Sequence, residues 1–517
     1  MKREDLFDSL TDLRDDQIAE GEKPLQKRRR PKRMLWLGGI AAALALVVLT
    51  GVVVLPRHPK APDPTLASTE QPTEAGTESR AKPTSQPPKP TDAPPPTEAP
   101  HQADGFETAS DQIERAEGTI RLYQLSAPAY PKFAVHPAEA QSLGSAALAP
   151  FLAETLPAIL GETAGENRLY APINVYLALS MLTEVTDGTT RQELLDLLSA
   201  EDTAALRETG RTLWQASYSD YPDGLTSVPA ASIWLRNGTA YKQDTLDTLA
   251  SDYYASSYSG EMGSADYDRA IQTWINAHTG NLLQDRAAGI QTYDDTLAVL
   301  LTTIYFKAGW MESFFAANTT GRTFHSPNGD GMTDFLHGGL ETDGWTENGF
   351  TAIGKPLQGG TTMYFLLPDK GTSPEELMQS ADALAFLGSA EGREALPHRP
   401  FLVDFSVPKF DVDSTLNLHQ TLDALGVRKV FDPDDADFSP LLAEDAPCCL
   451  REIVHAVRVK IDEKGCEAAA FMAAVPTATE RRDPERLTLT LDRPFVFAIA
   501  NPDGLPLFIG VVNQPNG

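Results

Sequence analysis

Residues 457 to 479 read VRVKIDEKGCEAAAFMAAVPTAT: a strand pattern that passes through a glycine into alanines and ends in a polar stretch containing a proline. Val457, Val459 and Ile461 alternate with Arg458, Lys460 and Asp462, the period-two signature of a half-buried strand. Past Gly465 one parity carries Cys466, Ala468, Ala470 and Met472, all small or apolar, and the other carries Glu467, Ala469, Phe471 and Ala473. Proteins avoid leaving strand-competent segments unpaired. On these residues alone two readings stand: an edge strand with a trailing loop, or a loop held out that can become a strand.

Other segments give that choice a context. In chain order they are ENRLYAPINVYLALSML (166–182), DGTTRQEL (187–194), TTIYFKAGW (302–310), MYFLLPDKG (363–371), SVPKF (406–410) and, near the end, LDRPFVF (491–497) with PLFIGVVNQP (506–515). IDEKG followed by the alanine run is similar to the hinge of the reactive-centre loop of the serpin family. The other segments resemble serpin motifs in family order: a buried helix, the next helix start, the central strand of the large sheet, a strand of the second sheet, a further strand, and the C-terminal signature.

The resemblance covers roughly residues 138 to 517. It implies an α+β serpin fold with a large central mixed β-sheet, two further sheets, about eight or nine helices and an exposed reactive-centre loop. The function implied is suicide inhibition of a serine protease, as in alpha-1-antitrypsin-like inhibitors, by a bacterial, membrane-anchored member. The hinge then comprises Glu463, Lys464, Gly465, Cys466, Glu467, Ala468, Ala469 and Ala470. His455 and Trp310 match residues at the sheet's opening, and Lys409 with Glu463 matches a salt bridge near its top. Where the family has serines in the buried helix this chain has Ala171 and Asn174, and Thr302 replaces an asparagine of the central strand, so the polar network there must be rebuilt.

Counting about sixteen residues beyond Glu463, as inhibitory relatives imply, places the scissile bond at Thr479–Glu480. Arg481 and Arg482 stand just beyond and are the alternatives. A small Thr479 suits the shallow primary pocket of elastase-like or subtilisin-like proteases, whereas an arginine suits a pocket carrying an acid. A non-inhibitory serpin-fold binding protein is the other functional reading. Bulky, charged or proline residues at the hinge would favour it, and this hinge carries alanines.

The first part of the chain has a different organisation. Lys27, Arg28, Arg29, Arg30, Lys32 and Arg33 precede a charge-free apolar run from Met34 to Leu55, long enough to cross a bilayer as a helix. The run ends GVVVLPRH, without the A-x-A-like site of a cleaved signal peptide. The basic cluster predicts that residues 1–33 are cytoplasmic and that everything after Leu55 is extracellular. Residues 56–110, rich in Pro, Thr, Ser and Glu, cannot bury enough apolar surface to fold. As polyproline II they would reach on the order of 100 Å or more, suiting a spacer, although a linker serving solubility alone predicts the same sequence. Residues 111–137 read equally as more linker or as an extra element packed on the domain.

A net charge of −29 argues against nucleic acid or an acidic surface as partner of the main domain. The expected partners are an extracellular serine protease, in a covalent acyl complex, and the membrane through the anchor; the protein is expected to be a monomer. No cofactor or metal is expected, since the nine histidines show no metal-ligand spacing. Cys448, Cys449 and Cys466 are too few and too clustered for a disulfide framework and read as free thiols. Ser406-Val-Pro-Lys409 fits the S-x-x-K pattern of cell-wall enzymes, but Pro408 cannot sit in the helix that pattern requires, and no K-T-G or S-D-N accompanies it.

Overall fold

The computed structural model describes residues 122–515, except 132–136, 138, 222–223, 280–290, 295, 445–447, 452 and 467–483. The apolar run at 34–55, the proline-rich stretch and most of 111–137 lie outside the described residues. Ten α-helices occur among the described residues: α1 (Ala140–Leu160), α2 (Pro172–Val185), α3 (Gly188–Leu197), α4 (Thr203–Ser217), α5 (Gln243–Asp252), α6 (Ala265–His278), α7 (Pro374–Leu377), α8 (Ala381–Gly388), α9 (Ala390–Ala395) and α10 (His419–Ala424). The strands are β1 (Tyr123–Ser126), β2 (Arg168–Tyr170), β3 (Ser219–Asp220), β4 (Thr226–Arg236), β5 (Ala255–Gly260), β6 (Ala298–Gly309), β7 (Thr320–Ser326), β8 (Gly329–Trp345) and β9 (Phe350–Pro356). They continue with β10 (Thr362–Pro368), β11 (Arg399–Pro408), β12 (Phe410–Asn417), β13 (Ile453–Ile461), β14 (Gly465–Cys466), β15 (Glu485–Thr490), β16 (Phe495–Ala500) and β17 (Pro506–Val512).

The strands form two mixed sheets. The first has eight strands in the order β1-β5-β4-β6-β14-β13-β12, with β3 paired to β4; the second has nine, β15-β11-β8-β9-β10-β16-β17-β2, with β7 paired to β8. The two smaller sheets implied by the family are here continuous, because β8 runs unbroken from its pairing with β7 and β11 to its pairing with β9 at Gly344 and Trp345.

The sequence explains most of these elements locally. α2 is predominantly apolar and starts with Pro172 in its first turn; all its residues are buried, with Glu184 bound by Arg207 and Tyr253. In α4 the Asp202 carboxylate accepts from Ala205 N, and Leu206, Gly210, Leu213 and Trp214 form the inner stripe. α1 is long and apolar enough to cross a membrane, but Leu148, Phe151, Leu152, Leu156 and Leu160 bury its inner face in the core. The Thr190-x-x-Glu193 spacing suggests a capping box, yet α3 begins earlier, after Asp187, whose side chain accepts from Gly188 N. Thr190 and Glu193 instead bind backbone groups of Asp435, Arg428 and Lys429, tying the helix to a distant segment.

One junction decides the rest. β6 and β13 are parallel neighbours, but their ladder covers only Leu300–Thr302 against Ile453–His455. At the other end β14 enters between them, pairing Gly465 with Gly309, and Cys466 with both Ala308 and Ile461. Between these two ends the described ladder of β6 with β13 does not continue, while Thr303–Lys307 pair with β4 and Ala456–Lys460 with β12 on their other sides.

Candidate functional site

The site grows from the end of β13. Val457, Val459 and Ile461 are buried and Lys460 is exposed, so the alternation delivers the chain to Asp462 at the sheet's rim. There the Asp462 carboxylate accepts from Lys464 N at 2.7 Å and Gly465 N at 3.2 Å, and Asp462 N donates to Gly465 O at 3.0 Å. This Asx-type reversal turns the chain back into the sheet. A Cβ on Gly465 would lie 2.6 Å from Gly309 Cα and closer still to the Ala308 carbonyl, so only glycine lets the returning chain pass.

Three successive carbonyls of the turn are gripped from β6 and the segment after it. Trp310 Nε1 donates to Asp462 O at 3.0 Å, Phe314 N to Glu463 O at 2.9 Å and Trp310 N to Lys464 O at 2.9 Å. The Glu463 side chain accepts from Lys409 Nζ at 2.7 Å and Thr319 Oγ1 at 2.8 Å. Partial burial works against the Glu463 charge, but hydrogen bonds from Lys409, its own backbone and Thr319 outweigh it and hold the carboxyl below the usual range. Beneath the turn, Lys355 is buried, donates to Glu312 O at 2.9 Å and lies over the rings of Phe314 (4.6 Å) and Trp310 (5.4 Å). Its burial lowers the amine to about 8, against the opposing influence of Glu312.

At the closed end of the slot, His455 is opposite Thr302. Ala171 N donates to His455 Nε2 at 3.0 Å, and burial pushes the imidazole down to about 3, so it is neutral. Asn174 is buried one turn further along α2, and among the described residues neither its amide nitrogen nor its oxygen has a hydrogen-bond partner, nor does His455 Nδ1. The structure thus brings together His455, Thr302 and the Ala171 backbone at one end, and Trp310, Lys409 and Glu463 to Cys466 at the other.

Glu467, Ala468, Ala469 and Ala470, and the bond candidates Thr479, Glu480, Arg481 and Arg482, lie outside the described residues. Cys466 is buried, Cys448 and Cys449 are half-buried, none of the three is in a disulfide among the described residues, and burial together with Cys449 pushes the Cys448 thiol up to about 11. Ser406 and Lys409 serve different partners: Ser406 Oγ lies 2.8 Å from His337 Nδ1, while Lys409 holds Glu463. SVPKF is the junction of β11 and β12, not a single strand. Lys355, Thr319 and Phe314 escape a reading of the sequence, since their contacts join segments far apart in the chain. The Asp462-x-x-Gly465 spacing is the one local signal of the turn.

A family model described as serpin (serine protease inhibitor) matches residues 146–515. Serpin-Z2A of Triticum aestivum is 25% identical over 367 residues, 68% of this chain and 91% of that protein. A plasma serine protease inhibitor of Mus musculus is 26% identical over 372 residues, covering 69% and 87%. Among solved structures, native tengpin, a thermophilic serpin, superposes with a TM-score of 0.63 at 22% identity, over 75% of this chain and 96% of its own.

Proposed function

The chain belongs to the serpin family, and from that premise we propose that it is a suicide-substrate inhibitor that traps a serine protease by completing a strand it has already begun. The observation that carries this reading is β14: two residues of the loop sit in the large sheet, in register, at the mouth of a slot where the described ladder between β6 and β13 stops. Continuing that register puts Ala468 opposite Phe306, Ala470 opposite Ile304, Met472 opposite Thr302 and Pro476 opposite Ala298, the first residue of β6. Opposed residues share a face, so the alanines fall over Phe306 and Ile304, which belong to the core. Phe471, on the other parity, falls opposite Thr303, on the side where α6 packs with Trp274 over Leu301 and Ala456. Pro476 lacks an amide hydrogen and ends the ladder.

In the reaction the protease serine Oγ attacks the carbonyl carbon of Thr479. The bond to Glu480 nitrogen breaks, the serine proton passes through the protease histidine to the departing amine, and an ester joins the two proteins. The freed strand then inserts before water hydrolyses the ester. Some ten new ladder hydrogen bonds at about 0.5–1.5 kcal/mol each amount to roughly 10 kcal/mol, enough to deform the protease site. Elastase-like or subtilisin-like enzymes are the proposed targets. The anchor at 34–55 and the proline-rich spacer would present the inhibitor outside the cell on a single-pass support.

The test is to mix the protein with an elastase and with trypsin, look for a complex that survives denaturant, and sequence the released peptide. The expected complex forms with elastase, and the peptide starts at Glu480. A peptide starting at Arg482 or Asp483, with trypsin as the trapped enzyme, would move the bond to an arginine.

A further inference from the structure

Strand β1 lies on the outer edge of the large sheet, antiparallel to β5, with Tyr123 opposite Ser259, Gln124 opposite Tyr258 and Ser126 opposite Ser257. So short a strand does not hold an edge by itself. Further contacts fasten it to the helices: Gln243 Nε2 of α5 donates to the Leu125 carbonyl at 3.1 Å, and Ser126 Oγ donates to Asp247 of α5 at 3.3 Å. Beyond it, Tyr130 lies parallel to three rings of the body: Trp214 of α4 at 5.4 Å, Tyr218 at 6.2 Å and Tyr254 at 6.3 Å, with interplanar angles of 13°, 4° and 6°. Trp214 is itself stacked on Tyr254 at 3.7 Å, so Tyr130 extends an aromatic stack built between the end of α4 and the start of β5.

A strand entering between β6 and β13 must separate β6, β4 and β5 from β13 and β12 by about one strand spacing, roughly 4.8 Å. The outer strands then slide as a block relative to the helices beneath them. The segment from β1 to Tyr130 bridges the two bodies along its length, held to the sheet side by the β5 ladder and Tyr254 and to the helix side by Gln243 and Asp247 of α5 and Trp214 of α4, so that motion strains or breaks contacts on one side of it. We propose that residues 122–130, through β1 and Tyr130, form a strap that restrains expansion of the large sheet and so sets how readily the uncleaved loop inserts. The inference rests on the inhibitor reading above and adds to it a regulator: the segment through which the N-terminal region of the chain reaches the sheet.

The experiment compares the full chain with Tyr130→Ala and Tyr130→Phe, incubated without protease below the melting temperature. Tyr130→Ala is expected to lose inhibitory capacity roughly tenfold faster, the effect of losing about one aromatic pair. Its product is expected to be uncleaved and more heat-stable than the starting protein, while Tyr130→Phe, which keeps the stack, behaves as wild type. Equal rates in all three proteins overturn the strap. So does faster loss in Tyr130→Ala that ends in unfolding without a more heat-stable form, since that marks a role in stability alone. Wild-type protein cut in its bait loop is the control. If cutting does not raise its heat stability, the inhibitor reading has failed and the strap falls with it; if cutting does raise it and the Tyr130 variants are unaffected, only the strap falls.

Discussion

At the scale of single residues, the turn that launches the loop is held mainly by backbone geometry and less by charge. The Lys409–Glu463 pair is partly exposed, and pairs of that kind contribute about 1 kcal/mol or less. Gly465 is different, because no other side chain fits between the returning chain and Gly309. His455 gives the molecule an acid limit. Its folded pKa, about 3, lies below the ordinary 6.5, as does that of His278, which burial lowers to about 4. The unfolded chain therefore binds more protons, so their contribution is complete above about pH 6.5 and is lost as pH falls toward the folded values, by up to about 1.4 kcal/mol per pH unit for each histidine. Denaturant unfolding between pH 7 and 5 should show this slope, and His455→Gln should roughly halve it. An unchanged slope would mean that His455 is not buried as a neutral ring.

At the scale of elements, β13 and β14 form one strand folded back on itself, and the proposed insertion extends the register of β14 into the segment that follows. That register makes parity testable. Ala470→Arg would drive a charge over Ile304 and the core, so the loop should still be cut by its protease, but no covalent complex should accumulate. Cys466→Ser, a change of similar size at the first inserted position, should leave complex formation intact. Retained trapping by Ala470→Arg, measured as the fraction of cut inhibitor found in complex, would contradict the register. Much of this element was legible from residues 457–466: one face of β13 is buried, so alternation marks it, and Asp462 with Gly465 marks the reversal. The pairing of β14 with Ala308 and Gly309 was not, since register between segments more than 150 residues apart leaves no local trace. β1 stayed undecided for a similar reason, being short and paired to a strand from which five helices separate it in the chain. The T-x-x-E motif misled because Thr190 and Glu193 bind backbone that only the folded chain brings near them.

At the scale of the whole molecule, the inhibitor reading requires the eight-stranded sheet to be metastable. Among its described residues β6 and β13 pair with each other over three residue pairs at one end only, and two residues of β14 stand between them at the other. The nine-stranded sheet and the helices α1 and α2 share one hydrophobic core with it, drawn from residues between Leu148 and Val512. Inserting a strand between β6 and β13 should stabilise the molecule far more than cutting a loop destabilises it. The most direct measurement is the melting temperature before and after a single cut in the bait loop by a protease that does not remain bound. Filling the slot predicts a cut chain that melts well above the intact one, with both fragments still associated. A cut chain that melts at or below the intact temperature would contradict insertion and leave the fold as a scaffold for binding.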